Sequence, residues 1–466
     1  MNRENEWMMQ QVLSYCPTVR QVLSEFGDVT LESYISQVAD FSVQQPLAPV
    51  QDVAVYTKKQ LLPLLGEQMA SEAAAALVDC IFTAAHHGVD SFAPSVQGHL
   101  LFRQLLKKRG VKTKVVPVLA FGMVSLCNAS YGRGLMIYDT QSGDSPLKLP
   151  IIPSKYENSA VSFFPGISKE MIKNSEETLA RHFQAERLSE NMVGAVRHML
   201  KEHYACANVL ERARYIEQAT IINCSLTKEA TGVAVAYVDA ERLAVDLILK
   251  DLQDKTSLVS LIVRDCSFRQ ELFATLDGIS GCWCRALLEK RHGGGTMLFW
   301  GKDRKMYRRS AMMDDGTGLV AVRDGWRIAY DEIVEGLESE KLLPGLFLIF
   351  LELLFVRGFH CFGGYFQAEY LKNMQDGLYK ALMTTGRKDL AKIISERQTD
   401  GYLSGPFFFA NEKGAPWSIA EFIAHPLRES VLQEKLTLSV REAHYNGIRE
   451  LFKTVVPAAE RQGGKQ

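Results

Sequence analysis

The sequence predicts an α/β fold with a mainly parallel sheet, helical additions and a small antiparallel β insertion. An apolar run at 76–84 predicts a strand, and apolar residues at helical spacing predict a helix from Pro94 to about Lys108. A second apolar run at 114–122 predicts another strand. Strand, helix and strand within about 45 residues form a βαβ unit, which implies parallel strands joined by a right-handed crossover.

The flanking segments extend this core on both sides. Residues 1–75 are expected to be helical, with breaks at Pro17, Gly27, Pro46 and Pro49. Residues 168–220 predict a helical insertion of three helices. The apolar stretches at 231–239 and 257–265 predict further strands, each followed by a helix.

The rest of the chain is predicted from turn signals and apolar runs. A β insertion at 295–330 is expected to be antiparallel, and helices are expected at 331–339 and 344–357. A loop at 357–370 leads into another helix. The predicted organisation is therefore a helical region at 1–75, an α/β core at 76–380, and a mixed region at 381–466 that ends in a disordered tail.

Composition and charge exclude several classes of protein. The chain has 466 residues, 47% hydrophobic and 23% charged, with a formal net charge of −1. That balance provides no global field for nucleic acid or an anionic membrane, so neither is expected as a partner. The basic cluster at 302–309 is expected to be a solvated hairpin edge. Nine cysteines without zinc or disulfide spacing, and no apolar signal core, predict a reducing, cytoplasmic location.

Polar side chains follow the first predicted strand in the segment His86-His87-Gly88-Val89-Asp90. Ligands bind at the carboxyl ends of strands in open parallel sheets, so we predict His86, His87 and Asp90 as catalytic residues, with an imidazole as general base. The alternative is that one histidine caps the following helix and the other packs. No metal is expected, because adjacent histidines seldom bind one ion and no H-x-x-x-H or carboxylate triad accompanies them.

Two other segments are expected to bind substrate at the same edge. Asn128, Tyr131 and Arg133 follow the second strand, and an arginine suits a carboxylate or phosphate. The alternative for these residues is a glycine-bearing hairpin with a surface arginine.

The second segment, residues 360–370, is here called the late glycine loop. In it Gly363 and Gly364 precede a helix, and the free N–H groups at a helix start favour an anion. Gln367 and Glu369 are expected to orient an amine or hydroxyl. The alternative here is an aromatic-rich loop that closes a core. We predict that the segments 83–91, 123–134 and 360–370 converge on one pocket.

The order of motifs resembles the bacillithiol synthase family, the enzymes that add cysteine to a glucosamine–malate conjugate. The resemblance lies in "TAAHHGVDSFAPSVQGHLLFRQLLKKRGVKTKVVPVLAFG", "MLFWGKDRKMYRR", "KLLPGLFLIFLELLF" and "CFGGYFQAEYL", which stand in the family's order and cover about residues 75–375. It implies a Rossmann-like core and a small-molecule pocket between the strand ends and the late glycine loop. The chain departs from the family in having His86-His87 where the family has paired glutamines.

These observations predict a cytoplasmic, ligase-like biosynthetic enzyme that forms a C–N bond with a small amine or amino acid substrate. The alternative is a non-catalytic small-molecule-binding or assembly protein on the same scaffold, so enzymatic activity is left open. A nucleotide cofactor is also left open, because "RHGGGTMLFWG" lacks the context of a dinucleotide fingerprint and no Walker sequence occurs. The sequence leaves open whether the chain forms a homodimer.

Overall fold

The structure is a computed structural model that describes residues 3–42, 44–141, 145–303 and 307–457. It is a mixed α/β protein. The described strands are β1 (Ile81–His86), β2 (Val115–Phe121), β3 (Gly134–Ile137), β4 (Leu147–Pro150), β5 (Ala234–Asp239), β6 (Phe299–Lys302), β7 (Arg309–Asp314), β8 (Gly318–Ala321), β9 (Arg327–Ala329), β10 (Leu342–Pro344), β11 (His360–Cys361), β12 (Gly363–Gly364) and β13 (Tyr402–Ser404).

Helices surround these strands. They are α1 (Arg3–Tyr15), α2 (Pro17–Phe26), α3 (Leu31–Val38), α4 (Gln51–Leu77), α5 (Ala93–Lys108), α6 (Lys169–Gln184), α7 (Glu190–His198), α8 (Ala207–Leu210), α9 (Tyr215–Thr231), α10 (Ala240–Asp251), α11 (Leu258–Arg264), α12 (Cys266–Thr275), α13 (Arg285–Glu289), α14 (Ile333–Glu338), α15 (Leu346–Phe350), α16 (Tyr365–Thr384), α17 (Lys388–Ser395), α18 (Ile419–Ala424), α19 (Glu429–Lys435), α20 (Val440–Asn446) and α21 (Ile448–Val455). Helix α7 continues into a π-helical turn, Met199–Tyr204, and α15 into another, Leu351–Val356. None of the helices in the described ranges is both long and apolar enough to cross a bilayer.

The central sheet has four parallel strands in the order β11-β1-β2-β5. The predicted βαβ unit is confirmed, because β1 and β2 pair in parallel, from Thr83 opposite Val118 to His86 opposite Phe121, with α5 between them in the chain. Strand β2 is buried along its whole length. Its alternate side chains enter two different apolar clusters, which cover the two faces of the sheet.

A separate antiparallel sheet has the strand order β10-β6-β7-β8-β9. Its first four strands along the chain, β6 to β9, lie within the predicted insertion at 295–330, and the expectation of antiparallel pairing there is confirmed. Strand β10 joins from outside that range, by pairing with β6. Two short pairs, β3 with β4 and β12 with β13, complete the described strands.

Three predicted elements differ from the structure. The first strand is displaced, because α4 runs to Leu77 and β1 begins at Ile81. The strand predicted at 257–265 is wrong. That segment is helix α11, in which Ser257 accepts a hydrogen bond from the Ser260 N–H and the buried residues recur four apart. The loop predicted at 357–370 contains β11, an edge strand of the central sheet, although the helix begins at Tyr365, directly after Gly363 and Gly364, as predicted.

The ends of the chain add helices to this core. Helices α1 to α4 occupy the region before β1, and α17 to α21 with β13 occupy the region after α16. The predicted disordered tail, residues 459–466, lies outside the described residues.

Candidate functional site

The carboxyl ends of β1, β2 and β5 meet at one edge of the central sheet, where two cavities open. His86, the last residue of β1, lines a cavity of about 460 Å³, whereas His87 lines another of about 390 Å³. Successive residues of an extended chain point to opposite sides, which explains why the histidine pair divides between the two cavities. Both are candidate sites, because parallel sheets bind ligands at this edge.

The larger of the two, here called the Arg309 cavity, is lined by residues that include His86, Phe121, Met123, Val124, Glu241, Cys282, Trp283, Gly294, Gly295, Trp300, Arg309 and Tyr370. The smaller, here called the His87 cavity, is lined by residues that include His87, Arg214, Tyr237, Asp239, Arg242, Val245, Glu340 and Leu343. A small apolar cluster that contains Met123, Leu343 and Trp300 lies between them. The cavities therefore share a wall but have different polar linings.

Arg309 brings an unpaired positive charge to its cavity. The residue begins β7 opposite Lys302 of β6, so Trp300, two residues from Lys302, is its diagonal neighbour on the sheet. The guanidinium carbon lies 4.0 Å from the centre of the Trp300 ring. Burial lowers the pKa of Arg309 to about 10, which leaves it charged at neutral pH. Among the described residues, its side chain makes no hydrogen bond or ion pair, so its donors are available to a ligand.

Glu241 lies beside Arg309 but does not neutralise it at neutral pH. The carboxyl group is buried near the start of α10, and its Oε1 accepts hydrogen bonds from the N–H groups of Gly122 at 3.0 Å and Met123 at 2.8 Å. Burial, with the nearby charge of Asp239, raises the pKa of Glu241 to about 8. The group is therefore mostly protonated at neutral pH, and the cavity has a net positive charge.

His86 is neutral under the same conditions. Burial, assisted by the charge of Arg309, lowers the pKa of the imidazole, although a hydrogen bond with Asn128 acts in the opposite direction. The Nδ1 atom lies 3.0 Å from Ser130 Oγ. When the ring proton is on Nδ1 and is donated to Ser130, Nε2 carries the lone pair.

The charges of the His87 cavity are more fully paired. Arg242 contacts Asp239 at 3.7 Å and Glu340 at 2.6 Å. His87 Nδ1 accepts a hydrogen bond from the Gly88 N–H at 2.9 Å, so the neutral ring has its proton on Nε2. Burial lowers the pKa of His87 to about 4, so the imidazole is neutral at neutral pH, is a poor base, and presents its Nε2–H group as a donor.

Asp90 contacts Tyr237, one of the residues that line the His87 cavity. Its carboxyl group is buried and accepts hydrogen bonds from the Tyr237 hydroxyl at 2.5 Å and the Phe92 N–H at 3.0 Å. Burial raises the pKa of Asp90 to about 6. Asp90 lines neither of the two cavities, but it fixes the ring of Tyr237, which lines the His87 cavity.

The predicted substrate-binding residues after β2 have separate surroundings. Asn128 bonds within its own loop, to the Ser125 carbonyl at 2.7 Å and the Ser130 N–H at 2.7 Å. Arg133 lies 3.4 Å from the Tyr131 hydroxyl and 4.0 Å from Glu157. None of these predicted residues is among those that line the Arg309 cavity, although Asn128 lies close enough to His86 to influence the pKa of that imidazole.

The late glycine loop is closed by its own side chains. A Cβ atom at Gly363 would lie 1.7 Å from Gln367 Oε1, so the glycine provides the space in which that side chain packs. Gln367 Oε1 accepts a hydrogen bond from the Cys361 thiol at 3.1 Å. Gly364 precedes α16 and pairs with Ser404 of β13. These contacts stabilise the loop.

Glu369 lies at a different junction, where α16 meets α2. Its carboxylate accepts a hydrogen bond from the Thr18 N–H, in the first turn of α2. Carboxylates stabilise helix N-termini in this way. The structure therefore places Glu369 as a capping residue and brings neither it nor Gln367 to the two cavities.

The three segments predicted to converge do share the Arg309 cavity, mostly through other residues. His86 comes from the first segment, Met123 and Val124 from the second and Tyr370 from the third. Glu241, Arg309 and Trp300 also line this cavity and were not predicted from the sequence. Glu241 had the same signal as His86, a polar residue just after a buried strand. The expectation that the basic cluster at 302–309 is a solvated hairpin edge is wrong for Arg309, because this residue lines a cavity.

Comparison with known proteins adds no assignment. No protein-family model matches the chain, and no curated protein is detectably similar to it. The resemblance to the bacillithiol synthase family thus stays a prediction.

Proposed function

We propose that the Arg309 cavity binds a small molecule through an anionic group. The observation that carries this proposal is a charged, partly buried guanidinium without a hydrogen-bonding partner among the described residues, beside a protonated Glu241. Arginine presents a fork of donors that matches a carboxylate or phosphate. A volume of about 460 Å³ suits a metabolite of modest size.

We further propose that the protein is a Rossmann-like, ligase-like enzyme that forms a C–N bond with a small amine or amino acid. The carboxylate of the amino acid pairs with Arg309, and its amine attacks an activated acyl compound. The leaving group departs with the bonding electron pair, and the amine proton moves to Nε2 of His86. The lowered pKa of His86 supports this step, because the base is unprotonated at neutral pH.

A non-catalytic binding protein is the second candidate. It is favoured by the hydrogen bonds that engage Glu241, which leave that carboxyl group bound to backbone N–H groups rather than to a substrate. In this alternative, Arg309 binds the same anionic ligand and His86 only donates or accepts a hydrogen bond. The two candidates share the ligand and differ in turnover.

The binding proposal is tested by calorimetric titration of the protein with amino acids, small dicarboxylates and inorganic phosphate. We expect at least one ligand to bind wild-type protein. We also expect Arg309→Met to weaken it about 10- to 100-fold, because hydrogen bonds to charged groups contribute about 1.5–3 kcal/mol. Arg323→Met is the matched control, since Arg323 is exposed and lines neither cavity. Equal loss of affinity in both variants would contradict the proposal.

Turnover is tested next, with the ligand that binds, a panel of acyl donors and added ATP. Mass spectrometry should detect a C–N product with wild-type protein. His86→Gln should bind the ligand with nearly unchanged affinity and form no product. Binding by the wild type without a product from any donor would favour the binding protein.

A further inference from the structure

A cluster of two histidines and a glutamate lies on helices α7 and α9, outside both cavities. His198 Nε2 is 2.6 Å from Glu229 Oε1, and His203 Nε2 is 2.8 Å from Glu229 Oε2. One ligand atom from each of these three side chains lies within 4.8 Å of the others. We propose that His198, His203 and Glu229 bind one Zn²⁺ ion, with a fourth position open to water or another ligand.

The π-helical turn at Met199–Tyr204 makes this cluster possible. Residues five apart lie on different faces of a regular α-helix, which has 3.6 residues per turn. In this turn the bonding is five residues apart, as in the Ala205 N–H to Leu200 carbonyl bond of 3.0 Å. The wider turn brings His203 under His198, with ring centres 5.8 Å apart. Single π turns inside helices occur frequently at functional sites.

The hydrogen bonds of Ser225 orient His203 as a metal ligand. The single hydroxyl proton of Ser225 is directed to the Ile222 carbonyl at 3.1 Å, which can only accept. Ser225 Oγ must then accept from His203 Nδ1, which lies 2.8 Å away. The neutral ring therefore presents the lone pair of Nε2 to the Glu229 carboxylate, and a cation between them relieves that repulsion. Metal-binding histidines are commonly held by a second hydrogen bond of this kind.

Exposure and donor chemistry fit Zn²⁺. His203 is nearly buried, with 8% of its side chain exposed, and anchors the cluster. His198 and Glu229 are 43% and 44% exposed, so the ion can enter and both side chains can adjust. Zinc bonds of about 2.0–2.2 Å in tetrahedral geometry separate ligand atoms by about 3.3 Å. The two contacts of 2.6 and 2.8 Å must therefore widen by roughly half an ångström, and any pair of ligand atoms nearer the 4.8 Å limit must come closer together.

The experiment is a titration of chelator-treated, fully reduced protein with Zn²⁺ in the presence of a competing chelator. We expect one equivalent to bind, and His198→Ala and Glu229→Gln each to weaken it about 100-fold or more. Ser225→Ala should weaken it about 10-fold, within the usual range for residues that orient ligands. His292→Ala is the control, because this exposed histidine lies outside the cluster and its loss should change nothing.

Cobalt(II) provides a second readout that identifies the ligand atoms. Nitrogen and oxygen ligands should give visible absorption that His198→Ala abolishes, without the charge-transfer band of a bound thiolate. Three outcomes would overturn the proposal. These are no Zn²⁺ binding by the wild type, equal binding by wild type and His198→Ala, or a thiolate band that places the ion on cysteine.

Discussion

Replacing Glu241 with alanine should destabilise the protein by removing the acceptor of two backbone N–H groups at the end of β2. Both groups, from Gly122 and Met123, donate to Glu241 Oε1. A buried donor left unsatisfied costs about 1–3 kcal/mol, so the pair costs about 2–6 kcal/mol. Water that enters from the Arg309 cavity can accept hydrogen bonds from these N–H groups and so reduces the cost. We therefore expect the free energy of unfolding to fall by about 2–4 kcal/mol.

Glu241→Gln is the matched variant. The amide oxygen can accept both hydrogen bonds in the place of Oε1, and only the second contact of the Gly122 N–H, at 3.0 Å from Oε2, loses its acceptor. We expect a change below about 1 kcal/mol. Urea denaturation of the wild type and both variants at neutral pH, where the native carboxyl group is mostly protonated, measures the difference. An alanine variant as stable as the glutamine variant would refute the role assigned to this side chain.

Comparison of the wild type with Glu241→Gln also tests the charge of the Arg309 cavity. Above a pH of about 8, Glu241 loses its proton and places a negative charge beside Arg309. Anion affinity in the wild type should therefore fall as the pH rises through this value. Because glutamine cannot ionise, Glu241→Gln should lose this dependence. Titrations across this pH range that show the same profile for both proteins would refute the argument.

Three other predictions separate site from scaffold. Leu119→Ala should cost about 2–5 kcal/mol in urea denaturation, because it leaves a cavity beneath the central strand β2, where Leu119 is 1% exposed. Glu369→Ala should lower the free energy of unfolding by about 1 kcal/mol, because α2 loses its cap. Ligand affinity measured by calorimetry should not change, and a loss of affinity would count against the placement of Glu369 as a capping residue. Gly295→Ala should cost more than about 1–3 kcal/mol, because the residue has a φ of +75° and a Cβ atom would lie 1.9 Å from the Cys282 carbonyl oxygen; a variant as stable as wild type would contradict that geometry.

Periodicity and strand ends predicted part of this fold and site. Helix α5 and strand β2 carry clear apolar patterns, and together they implied the parallel pairing of β1 with β2. His86 was predicted because polar residues just after a buried strand lie at the edge where ligands bind. Its placement in the Arg309 cavity follows from that reasoning.

The rest depended on contacts that a sequence does not display. Strand β11 has two residues, too few for any pattern, and joins the sheet only through its pairing with β1. Arg309 stands in a basic run that is typical of solvated turns, and the register of β6 with β7 decides that it lies over Trp300. His198 and His203 are five residues apart, and only a π-helical turn brings them together.

The sequence also did not predict that His86 and His87 line different cavities. His86 and His87 are adjacent and were expected to act together, but strand alternation sends them to different cavities. Two carboxyl groups near the end of β5 also line different cavities, Asp239 as the last residue of that strand and Glu241 in the first turn of α10.

The central claim is that the Arg309 cavity binds an anion, and a crystal structure of the protein with the ligand found by titration tests it most directly. We expect an oxygen of the anion about 2.7–2.9 Å from the Arg309 guanidinium, the usual length of a charge-assisted hydrogen bond. The ligand should also lie against Trp300 and within reach of His86. A ligand bound in the His87 cavity, or Arg309 paired directly with Glu241 while the ligand lies elsewhere, would contradict the account.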